Sequence, residues 1–282
     1  VDQPDVMSVQ HVLGCVQGCG FCVSRATGSD TLPLVADAAL RLQEELRELP
    51  KRPRAVFISP WSDPFPPLNE VQRESTRLVE VLAHAGVESW LMTRGYIRPT
   101  AKSVLALHAD RVKVTVALTT TNRVLQRLLE PLTASPSLRL RMVRDLRRAG
   151  VGCQVALEPL VPGVTDTREN LLPLLEALAD AGINRLTVGY LYLRPSIEAT
   201  LQEVLQPRGL DGLALDEFAQ GRTLGKGRAA VCYLSRSRRQ HGYAAVMALA
   251  AGFGISVGIN PLTNPDFTPA RRLVKQYATK NQ

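Results

Sequence analysis

Short β-branched runs alternate with longer stretches of helical spacing along most of this chain, and that alternation restricts the fold more than any other feature. Strands are predicted at Val6–Leu13, Arg54–Ser59, Val87–Thr93, Arg111–Thr119, Gly152–Pro159 and Arg185–Leu193. Between them the spacing predicts helices over Leu32–Leu49, Leu68–Ala85, Thr100–His108, Arg123–Ala149 (interrupted at Ser135-Pro136) and Asp166–Ala181. In the first helix Leu34, Ala38, Leu42 and Leu46 fall on one face. Asn122 has the chemistry of an N-cap. Three helices run into an Ala-Gly step, at Ala85-Gly86, Ala149-Gly150 and Ala181-Gly182, and glycine accepts the left-handed conformation that ends a helix. Strands alternating with helices predict parallel βαβ units, and six of them fill residues 1–205.

The last 77 residues differ. Leu210–Gly227 is rich in Gly and charge and is expected to be a loop. A helix over Ser235–Gly252, a short strand over Ile255–Asn260 and a final helix over Pro269–Tyr277 follow. No linker-like composition separates this segment, so the expectation is one domain, with residues 206–282 as an extension capping residues 1–205.

Composition removes several classes. An apolar fraction of 45% and a charged fraction of 21% are those of a globular protein and exclude collagen, coiled coil and disorder. No apolar run reaches the ~20 residues of a membrane span; Tyr243–Gly258 comes nearest and is broken by Gly252 and Gly254. The first residues carry no basic segment followed by an apolar core, so no secretory leader is expected. Five cysteines, an odd number, do not suggest a disulfide framework. The expected setting is cytoplasmic, with reduced thiols and a monomeric chain. Thirty-four Lys and Arg against 26 Asp and Glu give a net charge of +8, for which a solvated surface is the plainer reading and an acidic or nucleic-acid partner the other.

Three cysteines crowd into eight residues after the first strand: Cys15, Cys19 and Cys22, spaced Cys-x3-Cys-x2-Cys. Three thiolates on one loop can wrap a metal centre, and Gly18 and Gly20 free the backbone to do so. A structural zinc site asks for four ligands, often as paired knuckles, and Cys153 and Cys232 stand in no knuckle. A four-iron cluster held by three cysteines keeps one iron open.

With Phe21 in the aromatic position before Cys22, the loop resembles that of the radical S-adenosylmethionine (AdoMet) superfamily. The resemblance implies a partial (β/α)6 TIM-like barrel, which agrees with the six α/β units, followed by the C-terminal extension. It also implies a 4Fe-4S cluster on Cys15, Cys19 and Cys22, AdoMet as cosubstrate or cofactor, and a one-electron reductant such as flavodoxin or ferredoxin. Further segments are similar to the spore photoproduct lyase-like group: Ser59-Pro60-Trp61-Ser62-Asp63-Pro64-Phe65, Leu129-Glu130-Pro131, Pro159 to Asp166, and Asn264-Pro265-Asp266-Phe267.

The resemblance assigns roles residue by residue. Ser62 and Asp63 would accept from the AdoMet amino group, although an Asp-Pro turn explains Asp63 as well. Thr93-Arg94 stands where the group has Thr-Lys, and the cation would meet the AdoMet carboxylate. Thr119 and Thr120 would contact the ribose or carboxylate. Glu158 would face the same end of the sheet, unless it is paired with an Arg. Pro60 stands where the lyase has a hydrogen-donating cysteine, which argues against authentic dimer repair. Cys232 is a substitute donor from the extension, although an incidental cysteine is the plainer reading. Cys153 alternates within a strand and is expected in the core. Asn260 stands where related families place a further cysteine, so no second cluster is expected.

Two basic runs could meet a phosphate backbone. Arg139, Arg141, Arg144, Arg147 and Arg148 are expected to be solvated on an outer helix. Arg236, Arg238 and Arg239, beside His241 and Tyr243, are the better nucleic-acid candidates, with Tyr233 or Tyr243 available to stack on a base. The expected function is therefore radical AdoMet chemistry, with a nucleic-acid lesion or nucleotide, DNA or RNA, as leading substrate. A peptide or small metabolite is the enzymatic alternative, and a Cys-loop metal-binding protein the non-enzymatic one.

Overall fold

In the computed structural model, residues 5–24, 32–261 and 263–266 are described. The predicted final helix over Pro269–Tyr277 lies outside them. Seven strands form one sheet: β1 (Val6–Val9), β2 (Ala55–Ile58), β3 (Glu88–Thr93), β4 (Val112–Ala117), β5 (Gly152–Leu160), β6 (Arg185–Tyr190) and β10 (Ser256–Ile259). They lie in that order, and the pairs β1–β2, β2–β3, β3–β4 and β6–β10 are parallel. Consecutive order with helical crossovers is the α/β arrangement that the alternation predicts.

The chain divides into two compact units. One holds residues 1–18, 24–117 and 131–155; the other holds 19–23, 118–130 and 156–282. The division crosses both the cysteine loop and β5.

In the first unit, α1 (Ala38–Glu48), α2 (Asn69–His84) and α3 (Pro99–Leu107) link the strands, and α5 (Pro136–Arg148) precedes β5. Helix α1 begins six residues later than predicted. Asp37 is in the left-handed region (φ 52°), and Leu34 is bridged to Val12 rather than lying on the helix face. Ala38, Leu42 and Leu46 of that face are buried. Strand β1 ends at Val9, four residues early, because the chain beyond it turns toward the second strand's loop. Along α2, Val71, Leu78, Val79 and Leu82 are buried at helical spacing. Ser135 caps α5, and Gly86 and Gly150 both have positive φ, as the Ala-Gly stops require.

Arg139 is the exception to the reading of this basic run as solvated, which holds for the exposed Arg141, Arg147 and Arg148. It is fully buried, and its guanidinium donates to the carbonyls of Ala134 (2.9 Å) and Ala117 (2.7 Å) and to Thr133 Oγ1 (3.3 Å). It closes the end of β4 onto the segment before α5.

In the second unit, α4 (Arg123–Leu129) is capped by Asn122, whose Oδ1 accepts from the amides of Val124 and Leu125. Helix α6 (Arg168–Asp180) is capped by Thr167, and Gly182 ends it with φ 79°. The predicted strand Arg185–Leu193 is two strands. β6 stops at Tyr190, and β7 (Tyr192–Leu193) leaves the main sheet to pair antiparallel with β9 (Val231–Tyr233), which also pairs with β8 (Arg222–Leu224). The expected loop Leu210–Gly227 therefore holds α8 (Asp211–Leu215) as well as β8. Helices α7 (Pro195–Leu205) and α9 (Arg236–Ala251) complete the unit. The strand expected in the extension adds β10 to the main sheet as its seventh member.

The approach of α9 to β6 is unusually close. A Cβ on Gly242 would lie 1.8 Å from the Tyr190 hydroxyl. That hydroxyl donates to Asp166 Oδ2 (2.7 Å), and Arg238 also reaches Asp166 (2.7 Å) and Glu217 (3.1 Å). Burial, and then the charge of Asp166, push the Tyr190 phenol well above its usual range, so it stays protonated as a donor. Gly242→Ala should lower unfolding free energy by about 2–3 kcal/mol through overpacking. Adding Tyr190→Phe should return part of that loss, which a double-mutant cycle in urea denaturation measures.

Candidate active site at the carboxyl ends of the strands

In the first unit the site is organised by Asp63, in the loop after β2. Its Oδ1 accepts from Phe65 N (2.8 Å) and Thr93 Oγ1 (2.6 Å); its Oδ2 accepts from Arg94 N (2.7 Å) and Gly95 N (3.3 Å). A carboxylate offers about four acceptor positions, and four donors use them here. The Thr93 hydroxyl also accepts from Gly95 N (2.8 Å). Asp63 thus fixes the turn at the end of β3 to the loop after β2. Gly95 is required there, because a Cβ would sit 1.8 Å from the Phe65 carbonyl.

Ser62 points differently from Asp63. Its Oγ accepts from Gln10 Nε2 (2.6 Å) and donates to Val12 O (3.2 Å), tying the loop to the strand end that leads into the cysteines. One residue earlier, the Trp61 side chain is half exposed, 47% of its surface being open.

His11 lies wholly buried beneath this loop. Ser75 Oγ donates to Pro64 O (2.6 Å), so it accepts from His11 Nε2 (2.9 Å), and Nδ1 accepts from Ser59 Oγ (2.8 Å). This is the neutral Nε2–H tautomer. Desolvation lowers the His11 pKa.

The three cysteines differ in burial. Cys15 and Cys19 are buried and Cys22 is half-buried; none of the five cysteines is in a disulfide. Cys22 N donates to Cys19 O (3.2 Å), and Gly20 N donates to Leu129 O (2.9 Å). Gln17 O accepts from Leu132 N (3.2 Å). Among the described residues no three His, Cys, Asp or Glu side chains are gathered as a metal site. Three thiols within eight residues of sequence are the soft donors that iron–sulfur clusters take, so the donor chemistry fits such a cluster. Cys153 fits no such role: burial pushes its thiol up to about 12, so it stays protonated at neutral pH.

In the second unit, Thr119 and Thr120 follow β4 and are both buried. Asn170 Nδ2 donates to Thr119 O (2.8 Å), and Thr120 Oγ1 accepts from Asn122 N (3.0 Å). Glu158, near the end of β5, accepts from Asn260 Nδ2 (2.7 Å). A Cβ at Gly189 would lie 2.5 Å from Thr263 Oγ1 and 3.3 Å from Glu158 Cδ, so the bare glycine makes room for both. Asn260 and Thr263 are site residues that sequence reasoning passed over; the only signal was Asn260 in a position compared with cysteine. Cys232 lies in β9, its Sγ 3.8 Å from Phe218 O.

The second basic run is a correction. Arg238 is held by Asp166 and Glu217. Arg239 is buried, donates to Leu234 O and pairs with Asp266 (2.9 Å), and Arg236 lies 3.9 Å from the same carboxylate. Tyr233 and Tyr243 are buried, and Tyr243 packs on Tyr190 with ring centroids 5.2 Å apart. Arg238, Arg239 and the two rings build the unit, whereas Arg236 and His241 stay exposed.

Asp63→Asn should cost about 2–4 kcal/mol in urea denaturation, because an amide nitrogen would face amide donors. For His11, the folded pKa lies below the unfolded value of about 6.5, so its stabilisation is present above that pH and is lost as pH falls. Stability measured at pH 7.5 and 5.5 should drop more in the native chain than in His11→Gln; equal drops would contradict the buried neutral ring.

The chain was compared with known proteins. No family model matches it. It is 30% identical over 202 residues to an uncharacterized protein of Mycobacterium tuberculosis, covering 67% of this chain and 59% of that one. It is 25% identical over 186 residues to the radical SAM Nalpha-GlyT isomerase of Pseudomonas phage M6, covering 62% of this chain and 37% of that one. The chain thus spans less than two thirds of these relatives. Among solved structures, a point mutant of spore photoproduct lyase matches with TM-score 0.71 at 14% identity, over 90% of this chain and 76% of that one. The lyase complexed with dinucleoside spore photoproduct matches with TM-score 0.67 at 15% identity, over 89% of this chain and 75% of that one. Streptococcus suis SuiB bound to S-adenosylmethionine matches with TM-score 0.55 at 14% identity, over 74% of this chain and 48% of that one.

Proposed function

The chain has the fold of spore photoproduct lyase, and on that premise we propose that it is a radical AdoMet enzyme. The observation that carries this reading is the loop of Cys15, Cys19 and Cys22 after the first strand of that fold. In this reading the three thiolates hold a 4Fe-4S cluster. Bound and reduced, such a cluster would supply the one electron for reductive cleavage of AdoMet, the chemistry that starts hydrogen abstraction from a substrate.

The chain's own residues position and shelter. Ser62, with Gln10 and Val12 fixing its hydroxyl, presents an acceptor for the AdoMet amino group. Asp63 acts through the turn it holds: with four donors on its carboxylate, it presents Arg94 in a set position, and the guanidinium is the natural partner of the AdoMet carboxylate. Thr93 belongs to that same fixed turn. Thr119 and Thr120 serve the ribose. Glu158, oriented by Asn260, offers a buried carboxylate to a donor on AdoMet or substrate. Cys232 is assigned as the hydrogen donor that Pro60 cannot be.

For the substrate we favour a nucleic-acid lesion or nucleotide, supported by the lyase likeness over most of the chain and by the +8 charge. The pairing of Arg236, Arg238 and Arg239 favours contacts other than that basic run. A peptide is the second reading, supported by the likeness to SuiB bound to a precursor peptide.

Anaerobic reconstitution tests the central reading. The native chain should take up about four irons and release methionine and 5′-deoxyadenosine from AdoMet on reduction. Cys15→Ala, Cys19→Ala and Cys22→Ala should each abolish that release. Cys232→Ala should keep AdoMet cleavage and lose turnover of substrate. Zinc uptake without AdoMet cleavage would instead mark a metal-binding protein. DNA or RNA binding that weakens with salt supports the nucleic-acid substrate, and its absence at low salt discards it.

A further inference from the structure

Gln17 lies between the first two cysteines and is only 2% exposed. Its backbone carbonyl is taken by Leu132 N, yet its side-chain nitrogen Nε2 is buried with no hydrogen-bond partner. A buried amide left unpaired costs about 1–3 kcal/mol, so a side chain retained in that state has a use that the isolated chain does not show. Gln17 Nε2 lies close to Gly95: a Cβ built there would meet it at 3.3 Å. The unpaired N–H thus faces the turn that Asp63 holds, directly after Arg94.

An N–H donor beside a guanidinium-bearing turn calls for an acceptor that is anionic. The backbone amides of Arg94 and Gly95 are donors committed to Asp63 and offer Gln17 no acceptor; with Nε2 unpartnered among the described residues, the acceptor is assigned to a molecule outside the chain. We infer that the Gln17 side-chain amide donates a hydrogen bond to the carboxylate of the bound AdoMet, and so is a positioning and affinity residue of that site. The inference rests on the radical AdoMet reading above.

Two properties of Gln17 should separate when it is replaced. Gln17→Leu removes an unpaired buried donor and keeps similar bulk, so the urea midpoint of the metal-free chain should hold or rise. In the reconstituted protein, anaerobic calorimetry should show AdoMet affinity about tenfold weaker, with iron content unchanged. The loss should shrink with the decarboxylated analogue of AdoMet, which lacks the acceptor. Gln17→Met, an unbranched replacement, guards against misfit and should behave alike. Unchanged AdoMet affinity would overturn the inference, as would a lowered midpoint with unchanged affinity, the mark of a structural role. An equal loss with the decarboxylated analogue would move the acceptor off the carboxylate and overturn it too. A fall in the cluster's reduction potential without AdoMet, at unchanged affinity, would place the acceptor on cluster sulfur instead. A native chain that takes up no iron and binds no AdoMet would overturn the underlying reading and this one with it, whereas iron uptake with an unaffected variant would overturn this one alone.

Discussion

A single carboxylate holds the loops of the first unit together. Asp63 gathers a threonine hydroxyl and three backbone amides from two loops that follow neighbouring strands. Loop termini have few partners of their own, and backbone amides removed from water need acceptors. By satisfying three amides at once, Asp63 turns the end of β3 into a defined surface. Arg94, the close approach of Gly95 to Phe65 and the position of Gln17 all depend on that surface. Beneath it, His11 joins Ser59 to Ser75 in a dry, neutral chain of hydrogen bonds that sets the height of the same loop.

The second unit is built on a different principle. There, closeness comes from missing side chains. Gly189 leaves room for Glu158 and Thr263, and Gly242 lets α9 settle on the Tyr190 hydroxyl. The ion pairs Arg238–Asp166 and Arg239–Asp266 then lock segments far apart in sequence. A basic cluster that reads as a partner surface is in this way part of the interior bracing. Net charge describes the chain's long-range field and says little about which cations are available to a partner.

Much of the fold was legible in the sequence, because period and punctuation are local properties. The strands up to β5, the Ala-Gly stops, the cap at Asn122 and the break at Ser135-Pro136 follow from neighbours within a few residues. Where tertiary contacts decide, the pattern was silent. Nothing local distinguishes Leu191, where one apparent strand parts into two sheets, or shows that the strand near Ser256 pairs with β6. Arg139 has the sequence context of a solvated helix and is buried because three acceptors 5 to 22 residues away converge on it. At the site, the cysteine loop was visible by spacing. The saturation of Asp63, the Glu158–Asn260 bond and the unpaired amide of Gln17 are matters of three-dimensional donor counting.

The account joins a fold shared with spore photoproduct lyase to a three-thiol loop and a rigid, cation-bearing turn beside it. Its central claim is that these hold an iron–sulfur cluster with a position open to AdoMet. The most direct measurement is the low-temperature electron paramagnetic resonance spectrum of the reconstituted, reduced chain, before and after AdoMet is added. A reduced 4Fe-4S signal whose g-values shift on adding AdoMet is the predicted result. A cluster signal indifferent to AdoMet, or a chain that binds only zinc and stays silent, would contradict it.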